Sequence, residues 1–144
     1  SMGYPDFASQ VNILRDRHKK NPLDEIHPVL NIDQLQLLIR ETGAVDIHDR
    51  IYEYITALCQ ATREHPMVQL GVSPRGALAV CRMAKAYAYL QGRDYVIPED
   101  VTAVFPDVCT HRLILNAKAR MMEEKPESVI QTVLRSVNMP VIKQ

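Results

Sequence analysis

Ser73-Pro74 and Gly92 bracket the segment that most constrains how this chain can fold. Serine before proline suits an N-cap followed by the first helical residue, and glycine is the usual residue just past a helix end. The bracket predicts a helix from Pro74 to Gln91. At about 100° per residue, its Leu78, Val80, Cys81, Met83, Ala84, Tyr87 and Leu90 surround most of the circumference. Such a helix is expected to be central and largely buried, with other helices packed around it.

The rest of the chain supplies them. Phe7, Val11 and Leu14 predict a first helix over 6–20, ending in the basic cluster Arg15, Arg17, His18, Lys19 and Lys20. After a turn-rich stretch with Pro22 and Pro28, Ile32, Leu35, Leu38 and Ile39 mark a second helix that Gly43 should end. Asp46 reads as the N-cap of a third helix carrying Ile47, Ile51, Tyr54, Ile55, Leu58 and Cys59, up to His65-Pro66. Asp94 to Ile97 is a short extended approach to a fifth helix starting at Pro98, which Pro106 should break or kink. The chain is ambiguous after Leu115, until Val129, Ile130, Val133 and Leu134 mark a last helix between Pro126 and Pro140. Five glycines, no tryptophan and eight Phe or Tyr disfavour a sheet sandwich. The expected fold class is all-α, a small bundle of about five to six helices with a short extended segment.

At 144 residues and 47% apolar the chain is long enough for one domain, expected over 3–144, with Ser1-Met2 as an expression remnant. The pattern after it opens abruptly, as in a fragment of something longer. Lys plus Arg and Asp plus Glu each total 17, so no global field draws nucleic acid or an anionic membrane. No apolar run approaches the roughly 20 residues of a membrane helix, and no secretion signal opens the chain, so the expected location is cytoplasmic. Cys59, Cys81 and Cys109 have no C-x-x-C spacing, which predicts small core residues rather than a metal or disulfide site.

Catalytic motifs are missing. Gly71 and Gly76 have the spacing of a phosphate loop, but Ala77-Leu78 stand where Lys and Ser or Thr are needed. Leu23-Asp24-Glu25 lacks the preceding apolar strand of a Walker B pair, and Arg75 occupies the second glycine of a nucleophile elbow. No complete catalytic site is expected, and no metal site. Arg75, Arg82 and Lys85, however, fall within one arc of roughly 80° on the fourth helix. Arg75 is in its first turn, where a cation opposes the helix dipole unless an anion or carboxylate meets it. That leaves two readings, a phosphate contact and an ordinary surface arginine or salt bridge.

Several ordered blocks carry a resemblance: Gly71-Val72-Ser73-Pro74-Arg75-Gly76-Ala77-Leu78, Ala84-Lys85-Ala86, Gly92 to Val101, Ala103 to Val108, and His111-Arg112-Leu113. Together they resemble the carboxy-terminal helical lid of MoxR-type AAA+ ATPases, and Gly3-Tyr4-Pro5-Asp6 is similar to the segment that joins core to lid in that family. The resemblance implies that Arg75 is the sensor-2 residue touching ATP phosphates, with Ser73, Pro74 and Gly76 shaping its turn. Gly76 departs from the alanine expected there. It implies ATP and magnesium in a longer protein, none bound by this chain alone, and Walker motifs, first sensor and arginine finger in a core upstream of Gly3. Implied partners are that core, neighbouring subunits of a ring (a hexamer by analogy), a von Willebrand factor A domain protein and unidentified clients matured by chaperone-like action.

Alternatives stay open for the other features. The cluster at 15–20 reads as a solvated helix end, then as a contact to an acidic neighbour. His111-Arg112 reads as a helix terminus, with a site role as the other option. For the whole chain the alternative is a freestanding helical adaptor that binds protein or nucleic acid without ATP.

Overall fold

The structure, a computed structural model, describes residues 3–19 and 21–141, without the side chains of residues 17–19 and 22. The readings made of Ser1-Met2, of Lys20 and of the Arg17, His18 and Lys19 side chains lie outside the described residues. The chain is all-α, with seven α-helices and a two-stranded sheet among the described residues. It forms two units, Ser1–Leu35 and Gln36–Gln144.

In the first unit, α1 (Phe7–Lys19) starts where the Asp6 carboxylate accepts a hydrogen bond from Ser9 N at 2.8 Å, an interaction that also lowers the Asp6 pKa. Arg15 lies exposed on this helix. Asn31 opens α2 (Ile32–Ala44) with a reciprocal capping box: its Oδ1 accepts from Gln34 N at 2.8 Å, and Gln34 Oε1 accepts from Asn31 N at 2.9 Å. α2 runs through Gly43 rather than ending there. The Gly43 carbonyl, left without a partner in the last turn, is taken by Lys85 Nζ at 2.9 Å, and Tyr89 donates its hydroxyl to Glu41 nearby.

The third helix, α3 (Asp49–Glu64), corrects the expected cap. His48 Nδ1, not Asp46, accepts from the first turn, at 3.1 Å from Arg50 N. Asp46 is extended instead, its N–H donating to Asp94 O at 2.8 Å and its carbonyl accepting from Val96 N at 3.0 Å. That bridge is the extended segment expected at 94–97. The two strands β1 (Val68–Leu70) and β2 (Ile114–Leu115) pair antiparallel, β1 filling the connector before the fourth helix and β2 ending where the ambiguous stretch begins.

α4 (Pro74–Leu90) opens and closes as the sequence predicts. Ser73 Oγ accepts from Gly76 N at 3.3 Å, and at the other end Arg93 N donates to Ala88 O while Gly92 adopts φ +73°. Its burial is narrower than expected: only Gly76, Val80, Ala84 and Ala88 are buried, whereas Leu78 is 60% and Leu90 79% exposed. Those four positions recur every fourth residue, so they form one stripe of small side chains against which α5 (Pro98–Cys109) packs. Pro106 does not end α5. The buried Val104, Phe105, Val108 and Cys109 on either side of it hold the last turn despite the missing N–H. A 3-10 turn over Thr110–Arg112 follows, then the short α6 (Ala117–Met121) and α7 (Pro126–Ser136). Ile51, Ile55 and Leu58 of α3, Val101 and Phe105 of α5, and Val129, Ile130 and Val133 of α7 form the core with the α4 stripe. Cys59 and Cys109 are buried in it and Cys81 is half-buried, all as free thiols.

Candidate functional site

The loop that enters α4 is held from α3. Thr62, buried in the last turn of α3, donates its hydroxyl to Cys59 O at 2.6 Å and accepts from Val72 N at 2.9 Å. Arg63 Nε donates to Val72 O at 2.8 Å, so both backbone polar groups of the buried Val72 are satisfied by consecutive residues of one helix. Gly71 permits this approach: a Cβ there would lie 2.7 Å from Arg63 N and 2.8 Å from Arg63 Cα. With Val72 fixed, Ser73 caps α4, Pro74 takes the first helical position, and Arg75 projects from the first turn.

Arg75 is exposed, and its guanidinium has no hydrogen bond or ion pair among the described residues. No acidic residue stands in the first turn of α4 to balance it. Gly76 is buried behind it, and a Cβ there would lie 2.6 Å from Val72 Cγ1, which explains why glycine replaces the expected alanine.

A groove of about 490 Å³ runs beside this turn, lined by Arg75, Leu78, Ala79, Arg82, Met83 and Arg112. Three guanidinium groups and no carboxylate line it, so its chemistry is that of an anion site. Of the cationic arc read from the sequence, Arg75 and Arg82 come together here. Lys85 does not, because its ammonium is spent on the Gly43 carbonyl. From the sequence, Arg112 reads with His111 as a helix terminus, a site role being the other option. The 3-10 turn after α5 brings it to the groove, with Nε donating to Val108 O at 2.8 Å. His111 stands in an adjoining hollow with Arg63, Gly71 and Ser73. Among the described residues no three His, Cys, Asp or Glu side chains come close enough to hold a metal ion. No helix among them is long and apolar enough to cross a membrane.

Residues 60–133, which include every residue of the groove, match the family described as the AAA lid domain. The chain is 39% identical over 140 residues to the uncharacterized protein YeaC of Bacillus subtilis, covering 97% of this chain and 44% of that protein. It is 38% identical over 152 residues to chaperone MoxR1 of Mycobacterium tuberculosis, covering 99% of this chain and 40% of that protein. The crystal structure of a Cytophaga hutchinsonii protein assigned as an ATPase superposes with a TM-score of 0.80 at 30% identity, over 97% of this chain and 45% of that one. The chain therefore spans less than half the length of these relatives.

Proposed function

Because the chain belongs to the AAA lid domain family, we propose that residues 3–144 act as the lid of a MoxR-type AAA+ ATPase, with Arg75 as its sensor of nucleotide. The observation that carries this reading is an exposed arginine, unpaired among the described residues, in the first turn of α4 and beside a groove without carboxylates. Such a group fits a phosphate, which would meet both the fork of the guanidinium and the positive end of the helix. In this reading magnesium and the Walker residues belong to the core that the family resemblance implies.

ATP, when bound in that core, supplies the terminal phosphate and the free energy of its hydrolysis. Arg75 holds the lid closed while that phosphate faces it, and once its guanidinium is unpaired the lid is free to rotate. Ser73, Pro74 and Gly76 fix the turn from which Arg75 projects. The exposed Leu78 and Leu90 give α4 an apolar outer surface to transmit the rotation to the core and to the next subunit of a ring. A hexameric ring in the cytoplasm, chaperone-like maturation of client proteins and a von Willebrand factor A domain partner complete the reading; the name of the relative chaperone MoxR1 supports the chaperone part.

The test is Arg75→Ala in the protein that joins this chain to its core. Loss of a charged bidentate contact worth about 2 kcal/mol lowers ATP affinity or turnover roughly thirtyfold. Unchanged affinity and unchanged turnover would remove the sensor role.

A further inference from the structure

The three arginines of the groove are not held alike. Arg75 projects from the first turn of α4 with no partner among the described residues. Arg112 comes from the 3-10 turn after α5, and its stem passes that same turn of α4 so that Cδ lies 3.5 Å from where a Cβ of Gly76 would be. Its Nε is tied to Val108 O at 2.8 Å, which sets the plane of the guanidinium and leaves its two terminal nitrogens without a partner among the described residues. Arg82 is two turns along α4, about 10 Å from Arg75 along the axis. Like charges gathered in one groove repel, and here no carboxylate offsets them. A preset guanidinium sharing a groove with an unpaired one suits an anion with adjoining charges along a chain.

We propose that Arg112 is a second anion-binding residue, which with Arg75 clamps one polyphosphate chain across the first turn of α4. Arg112 contributes its terminal nitrogens while Nε stays on Val108, and Gly76 keeps the Arg112 stem close to the helix. The ligand class is a di- or triphosphate, whose adjoining charges suit two guanidinium groups in one groove. That the polyphosphate is a nucleotide's rests on the lid reading above; the clamp itself does not.

The experiment titrates the 144-residue chain with inorganic triphosphate at low ionic strength and follows the arginine Nε–H resonances. The Arg75 and Arg112 signals should move together on one isotherm, with a Kd on the order of 1 mM. Arg112→Met, which keeps the stem but not the charge, should weaken binding about tenfold while the thermal midpoint falls only by the few degrees that loss of the Val108 hydrogen bond costs, and inorganic monophosphate should bind about tenfold more weakly than triphosphate. Arg112→Lys keeps a charge but not the preset fork and should fall between wild type and Arg112→Met, which covers the case in which the methionine variant does not fold. An Arg112 resonance that stays still, a folded Arg112→Met chain that binds like wild type, or equal affinity for mono- and triphosphate would each overturn the clamp. Triphosphate binding that depends on both arginines, together with an Arg75→Ala protein of normal ATP turnover, would keep the clamp and remove the nucleotide-sensing role instead.

Discussion

Arg93→Met should be among the most damaging single changes in this chain outside the apolar core. Asp100, 1% exposed in the first turn of α5, receives Arg93 Nη1 at 2.7 Å and Nη2 at 2.5 Å, and its Oδ2 also accepts from Ile97 N at 2.9 Å. The same carboxylate thus caps α5 and joins its start to the loop after α4. The Asp100 hydrogen bond raises the Arg93 pKa above its ordinary value, as expected of a fork held by a carboxylate. Removing one partner of a buried pair costs about 3–5 kcal/mol, mostly from the charge left behind. Here the Arg93 side chain is 23% exposed, so the pair is only partly desolvated on its arginine side, and Asp100 keeps the Ile97 N–H; both place the loss near the low end. About 3 kcal/mol corresponds to a drop in thermal midpoint of roughly 10 °C for a chain of this size. Asp100→Asn should cost less, about 1–2 kcal/mol, because the amide oxygen can still cap α5 and Arg93 can turn to solvent. Urea unfolding followed by far-UV circular dichroism measures both at constant m. An Arg93→Met chain within 1 kcal/mol of wild type, roughly the scale of an exposed pair, would refute this account, as would a larger loss for Asp100→Asn.

Other perturbations separate local from tertiary effects. Gly71→Ala should destabilise by about 2 kcal/mol or more, since its Cβ meets backbone atoms of Arg63, whereas Gly43→Ala, with nothing within 4 Å, should stabilise by up to about 1 kcal/mol; the same urea titration measures both. Burial pushes the Cys59 thiol to about 11 and the Cys109 thiol to about 12, so at pH 8 a disulfide reagent should modify half-buried Cys81 first; simultaneous reaction of all three in the folded chain would contradict this packing. The folded chain keeps those two protons to higher pH than the unfolded chain does, so their contribution is complete below pH 9.0 and declines as pH rises through about 11. Cys59→Ala should therefore flatten the alkaline fall in stability measured across that range.

Helix boundaries set by short-range chemistry were legible from the residues alone. Ser73-Pro74 and Gly92 delimit α4 through bonds that span only a few positions, and Pro126 opens α7 as its first helical residue without a side-chain cap. The resemblance of the block around Arg75 also lies along one continuous stretch. Patterns that depend on distant partners misled. Asp46 has cap chemistry, yet both its backbone groups are taken by residues 94–96, and His48 caps α3. Pro106 has breaker chemistry, yet the buried neighbours of α5 carry the helix past it.

By itself, then, the sequence determined that this chain is helical, where most helices begin and end, and that Arg75 stands at the mouth of one of them. Those outcomes follow from propensity, capping and period, which act within about a turn of helix. Only the tertiary structure decided which face of α4 is buried, because a helix apolar nearly all round carries no signal for one face, and the stripe of Gly76, Val80, Ala84 and Ala88 is the one it buries. It alone decided that Lys85 leaves the cationic arc for Gly43 while Arg112 joins Arg75 across a groove. Charge partners of this kind are chosen by distance in space, and no periodicity along the chain encodes that distance.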